Sequence, residues 1–174
     1  VLEALSKHLH LQQLTISDCS NTSTPTIHLP LSLQHLIIRY CENVNFVMSS
    51  NASLQHLQSI SFVSCNFVKF MSDNMEGLLP NLRKLHIDGN QQMEAFPEGI
   101  HMPSLRELLI EGCNMRFMLS LQAEWHLLNN ITYLCISRCI YVKCFPEGCF
   151  LPTTLTTLEL DGLYSLKTLD CTGL

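Results

Sequence analysis

Cysteine is the reactive side chain this sequence uses most: nine occur in 174 residues, and Cys135, Cys139, Cys144 and Cys149 fall close together. Thiolates at that density could ligate zinc or pair as disulfides. Neither is expected here, because no two cysteines stand in C-x-x-C spacing and five of the nine obey a longer rule. The eight histidines are scattered, with no H-E-x-x-H or other ligand spacing. His35 and His86 are expected to project from strands toward solvent. No G-x-S-x-G nucleophile elbow and no phosphate-cradling G-x-x-x-x-G-K-[ST] loop occurs anywhere. Acid, base and nucleophile are not gathered at one place, so the chain reads as a non-enzyme that carries no cofactor or metal of its own.

The longer rule is a period. L-x-x-L-x-I-x-x-C, allowing aliphatic exchange, fits "LQQLTISDC" from Leu11, "LQHLIIRYC" from Leu33, "LQSISFVSC" from Leu57 and "LRKLHIDGN" from Leu82. It fits again at "LRELLIEGC" from Leu105, "ITYLCISRC" from Ile131 and "LTTLELDGL" from Leu155. Repeats of 20–29 residues with this core are leucine-rich repeats. Cys19, Cys41, Cys65, Cys113 and Cys139 share the ninth position, where a buried thiol can donate to a backbone carbonyl, and Asn90 stands there once.

Alternation sorts the strand at the heart of each repeat. Positions four and six point inward, giving the columns Leu14, Leu36, Ile60, Leu85, Leu108, Leu134, Leu158 and Ile16, Ile38, Phe62, Ile87, Ile110, Ile136, Leu160. A strand this short cannot bury its apolar face alone, so the repeats must stack. The expected fold is α/β: a right-handed leucine-rich-repeat solenoid, or horseshoe, with a parallel β-sheet on the concave face and irregular or short helical convex segments. One domain covers 1–174, with about seven repeats starting near 11, 33, 57, 82, 105, 131 and 155, as a fragment of a longer protein.

On the convex side, apolar residues three and six places after the ninth position should plug the core: Val44 and Val47, Val68 and Met71, Met93 and Phe96, Val142 and Phe145, Leu166 and Leu169. In the fifth repeat a one-place shift selects Met115 and Met118. "SLQAEWHLLN" (120–129) has helical spacing, whereas the polar stretch after Cys19 predicts an irregular loop. Asp88-Gly89 and Asp161-Gly162 look like hairpin turns. Together with Glu111-Gly112 they share positions seven and eight, so glycine there is expected to turn the chain out of the strand. Phe96-Pro97-Glu98-Gly99 and Phe145-Pro146-Glu147-Gly148 occupy matching convex places and read as scaffold.

The net charge is −5 and only 14% of residues are charged, which leaves no clustered Lys and Arg for nucleic acid. No apolar run approaches a membrane span.

The irregular repeat lengths, the ladder cysteines, the two "FPEG" copies and "LPTTLTTLEL" together resemble the leucine-rich-repeat domains of plant intracellular nucleotide-binding leucine-rich-repeat immune receptors, especially the coiled-coil class. The resemblance covers nearly the whole chain. It implies a cytoplasmic module that recognises a protein ligand, either a pathogen effector or a host protein, or that contacts the receptor's own nucleotide-binding domain to hold it inactive. ADP or ATP would bind that other domain, which this chain does not contain. The runner-up is the substrate-recognition repeats of a ubiquitin-ligase receptor.

Recognition is expected on the open face of the sheet. Ile37, Val63 and Leu109 place apolar groups there, and Tyr40 and Tyr133 add aromatic surface of the kind that anchors interfaces. Arg39, Lys84 and His86 accompany them. Asp88, Glu107, Glu111, Glu159 and Asp161 make the carboxyl-terminal half acidic and predict a partner with a basic patch.

Overall fold

The computed structural model describes residues 5, 7–19, 26–47, 52–71, 76–89, 93, 100–123, 128–142 and 151–167. Seven strands occupy the third to seventh positions of the seven repeats: β1 (Gln13–Ser17), β3 (His35–Arg39), β5 (Ser59–Val63), β7 (Lys84–Asp88), β8 (Glu107–Glu111), β9 (Tyr133–Ser137) and β10 (Thr157–Asp161). They form one parallel sheet in chain order, each residue paired with its equivalent in the next repeat, as Leu85 with Leu108 and Leu108 with Leu134. The chain is a leucine-rich-repeat solenoid.

The two inward columns fill its core. Leu36, Ile38, Leu108, Ile110, Leu134 and Ile136 are fully buried, each contributing about 1.5–3 kcal/mol relative to an exposed side chain. The columns fade at the ends, because a terminal repeat has a neighbour on one side only. Leu14 and Leu160 are half-buried and Leu158 is 36% exposed.

The convex side of the first three repeats departs from expectation. Short strands β2 (Thr26–His28), β4 (Asn43–Val47) and β6 (Phe67–Met71) form a second parallel sheet of three strands. Extended backbone has period two, so the inward pair is spaced by two residues rather than three. Phe46 and Phe70 are therefore buried with Val44 and Val68, while Val47 is half-buried and Met71 is exposed. The Phe46 and Phe70 rings stack with centroids 5.0 Å apart, and Phe62 meets Phe70 edge-on at 6.5 Å. Of the polar stretch after Cys19, residues 20–25 lie outside the described residues, but Thr26–His28 is strand and Ile27 is fully buried.

In the fifth repeat the convex segment is helix α1 (Met115–Ala123), which begins earlier than the expected 120–129. Asn114 caps it, its Oδ1 accepting from Phe117 N–H at 2.9 Å. Phe117, Met118 and Leu121 are buried while Arg116 and Leu119 face out. Met115 packs half-buried against the core. Both "FPEG" copies, Asn90, Leu169, Cys144 and Cys149 lie outside the described residues.

At the eighth position the backbone of every repeat is left-handed. Gly89, Gly112 and Gly162 have φ of 64, 65 and 61°, and Asp18, Tyr40, Ser64 and Arg138 have φ of 58, 53, 50 and 56°. This turn aims each eighth N–H at the seventh carbonyl of the next repeat, as Tyr40 at Val63 (2.9 Å), Gly112 at Ser137 (2.9 Å) and Arg138 at Asp161 (2.9 Å). Glycine adopts such φ freely, whereas an L-side chain is strained by about 1–2 kcal/mol.

The ladder thiols follow next. Cys41, Cys65 and Cys139 donate to the carbonyls of Arg39, Val63 and Ser137 at 3.2, 3.4 and 3.3 Å. Burial pushes the Cys65 thiol pKa up and raises that of Cys41 to about 11. Cys139 Sγ also accepts the buried Cys113 N–H at 3.3 Å. The neighbouring Cys139 side chain, together with burial, raises the pKa of the Cys113 thiol. All six described cysteines are free thiols.

Candidate functional site on the open face of the sheet

Outward positions three, five and seven of the seven strands form one surface. Ile37, Val63 and Leu109 lie on it but are half-buried rather than exposed, each shielded by its in-register neighbours. Arg39 and Tyr40 stand clear, Tyr40 being 55% exposed. Ser137, on the same face, is the exception, buried at 7%.

The charged residues are brought together in pairs along the strand order. Lys84 Nζ lies 3.1 Å from Glu107 Oε2 across β7 and β8. Tyr133 donates its hydroxyl to Glu159 Oε2 at 2.7 Å, and this bond to a carboxylate raises its pKa to about 12.

Between these pairs sits a five-residue network. His86 Nε2 is 3.0 Å from Glu111 Oε1, and its Nδ1 is 3.2 Å from Ser61 Oγ. With the Nε2 proton given to Glu111, Nδ1 accepts from the serine hydroxyl. Arg138 then reaches over the sheet from the eighth position, donating to Glu111 Oε2 and, at 3.3 Å, to Asp88 Oδ1. Burial alone would raise the Glu111 pKa. The hydrogen bonds and charges of Arg138 and His86 outweigh it, so this carboxyl titrates below its usual range.

Two chemistries are suggested by these contacts, and each meets a local obstacle. Ser61, His86 and Glu111 are linked as in a hydrolase relay. Yet β5 is paired on both sides, so its backbone N–H groups lie in the sheet and none is aimed over Ser61 to hold an oxyanion. His86, Asp88 and Glu111 also present ligand atoms within 4.8 Å of one another, as a divalent cation would require. The guanidinium of Arg138 already supplies positive charge to both carboxylates. The cluster is a closed ion-pair network joining the fourth, fifth and sixth repeats.

Arg138 was not among the residues expected at the site. Its signal was in the sequence: a long cation at a position that three other repeats give to glycine. Its presence also shrinks the acidic surface, since Asp88 and Glu111 are compensated while Asp161, at the end of the same column, is exposed and has no ion-pair partner among the described residues.

No protein-family model and no solved structure matches the chain. Disease resistance protein RPS4B of Arabidopsis thaliana is 27% identical over 152 residues, or 86% of this chain and 12% of that protein. A putative disease resistance protein of the same plant, At3g14460, is 33% identical over 117 residues, or 66% of this chain and 8% of that protein. The chain thus spans a small part of the length of each. No helix among the described residues is long and apolar enough to cross a membrane.

Proposed function

We propose that this solenoid is the protein-recognition module of a plant intracellular nucleotide-binding leucine-rich-repeat receptor of the coiled-coil class, acting in defence by sensing a pathogen effector or a modified host protein. Similarity to two proteins named for disease resistance supports the context. The observation that carries recognition is Tyr40. It holds a left-handed backbone, φ 53°, where a bulky side chain is costly, and is 55% exposed. Its backbone N–H is held by Val63 O as at the other turns, but its phenol ring has no hydrogen-bond or stacking partner among the described residues. A large aromatic side chain kept in solvent at a costly backbone position points to an external contact. Arg39, its chain neighbour, pairs in register with Val63, and Ile37 lies further along the same strand, adding a charge and apolar surface beside it. Asp161 and Glu159 at the other end draw the basic patch of the partner.

The test places Tyr40→Ala and Arg39→Glu in the full-length receptor and measures the cell-death response in leaf tissue. Loss of the response to the pathogen supports sensing. A response without pathogen supports an autoinhibitory contact with the nucleotide-binding domain instead. Wild-type behaviour in both respects would sink recognition at this face.

A further inference from the structure

In four of the seven repeats the residue just before the first aliphatic has a scaffold task. Ser32 Oγ donates to Leu11 O at 2.8 Å, Asn81 Nδ2 to Gln55 O at 2.8 Å, Asn130 Nδ2 to Pro103 O at 2.8 Å and Thr154 Oγ1 to Ile131 O at 2.7 Å. Each staples its repeat to the one before. His10 and His56 occupy the same position, are exposed, and hold no such bond among the described residues. They flank Ser32, whose side chain is short and turned inward to its carbonyl. The result is a notch of about 200 Å³ lined by Leu9, His10, Gln12, Ser32, Gln34 and His56.

The width of the notch follows from the sheet: two strand spacings put the histidines about 10 Å apart, room for one tetrahedral oxyanion accepting a hydrogen bond from each side. Gln12 and Gln34, at its floor, keep their side-chain amides uncommitted among the described residues. No carboxylate lines the notch, and Lys7 lines an adjoining hollow that shares Leu9 and His10. Every ionisable group here is neutral or cationic, in a chain whose net charge is −5. Four side chains without scaffold bonds among the described residues, two imidazoles and two amides, thus line a notch that holds no carboxylate.

We infer that this notch binds a phosphate group, carried either by free phosphate or by a phosphorylated side chain of another protein. The site lies on the rim where strands begin, apart from Tyr40 and from the Arg138 network, and stands independently of the immune reading.

The test records imidazole NMR signals of the whole chain while inorganic phosphate replaces chloride at constant ionic strength, then repeats the titration with a phosphoserine peptide and with acetate. Saturable shifts confined to His10 and His56 are expected, with affinity falling about tenfold or more in the His10→Asn, His56→Asn double variant. That variant should melt no lower than wild type, since neither imidazole holds a scaffold hydrogen bond among the described residues and asparagine at this position staples its repeat at Asn81 and Asn130. Tighter binding of the peptide identifies a modified protein as the source, and equal binding identifies the free anion. Parallel shifts at His35 and His86, acetate binding as tight as phosphate, or an unaffected double variant would each overturn the assignment.

Discussion

Arg138 Nη2 lies 3.3 Å from Asp88 Oδ1, fifty residues earlier in the chain and two strands away in the sheet. To span that distance the side chain must cross the strand that carries Glu111, which it also engages. One residue thereby ties three repeats together on the open face.

This tie makes stability sensitive to acid. The folded pKa of Glu111 is depressed below the ordinary value of 4.5, so its contribution is present above that value and is lost as pH falls through the folded pKa. Arg138→Gln should reduce the depression. Thermal melts from about pH 6 to about pH 3 are expected to fall less steeply below the ordinary glutamate range in the variant than in wild type. Parallel curves would show that the network does not couple to folding.

Gly112 and Tyr40 share a backbone conformation and should respond oppositely to substitution. A Cβ on Gly112 would meet Gly89 Cα at 3.2 Å at a φ of 65°, so Gly112→Ala should cost about 1–2 kcal/mol by urea unfolding. Tyr40→Gly relieves the same strain and should gain about 1 kcal/mol, less the extra chain entropy of glycine. A destabilised Tyr40→Gly would mean that its ring packs on the protein, removing the case for an external contact.

Leu108 is fully buried in the central column. Leu108→Asp puts an unpaired charge there, and a loss of more than about 4 kcal/mol is expected. An unchanged melting midpoint would contradict the repeat register.

Tyr133 offers a spectroscopic test of the outer pair. The chain holds four tyrosines, and absorbance titration should show one phenol ionising near about 12. In Glu159→Gln that phenol should return toward the ordinary value of 10. A titration identical in both proteins would place the hydroxyl elsewhere.

The period in the sequence located all seven strands of the main sheet, because register is written in columns of aliphatic residues that can face only one way. Glycine at position eight likewise announced a turn out of the strand, and the structure makes that turn left-handed. The second sheet was not legible: Val44 and Val47 are as compatible with a loop as Val44 and Phe46 are with a strand, and only the extended backbone selects Phe46. Site electrostatics were legible as composition but not as pairing. Asp88, Glu111 and Asp161 look alike in sequence, yet Arg138 engages the first two and leaves Asp161 exposed. Reversing all three to Lys would therefore break internal contacts, and reversing Glu159 and Asp161 is the cleaner probe of a basic partner.

The three-stranded sheet also decides where this coil can bend. Adjacent strands stand about 4.8 Å apart wherever they pair, so repeats one to three are held at equal spacing on their inner and outer sides. Around α1 the outer side must accommodate a cylinder about 10 Å wide against strands still closely spaced on the inner side. Outer spacing there must exceed inner spacing, which pairing in the second sheet prevents in the first three repeats. A ligand lying across all seven strands would meet first the repeats held at equal spacing and then a repeat propped apart on its outer side.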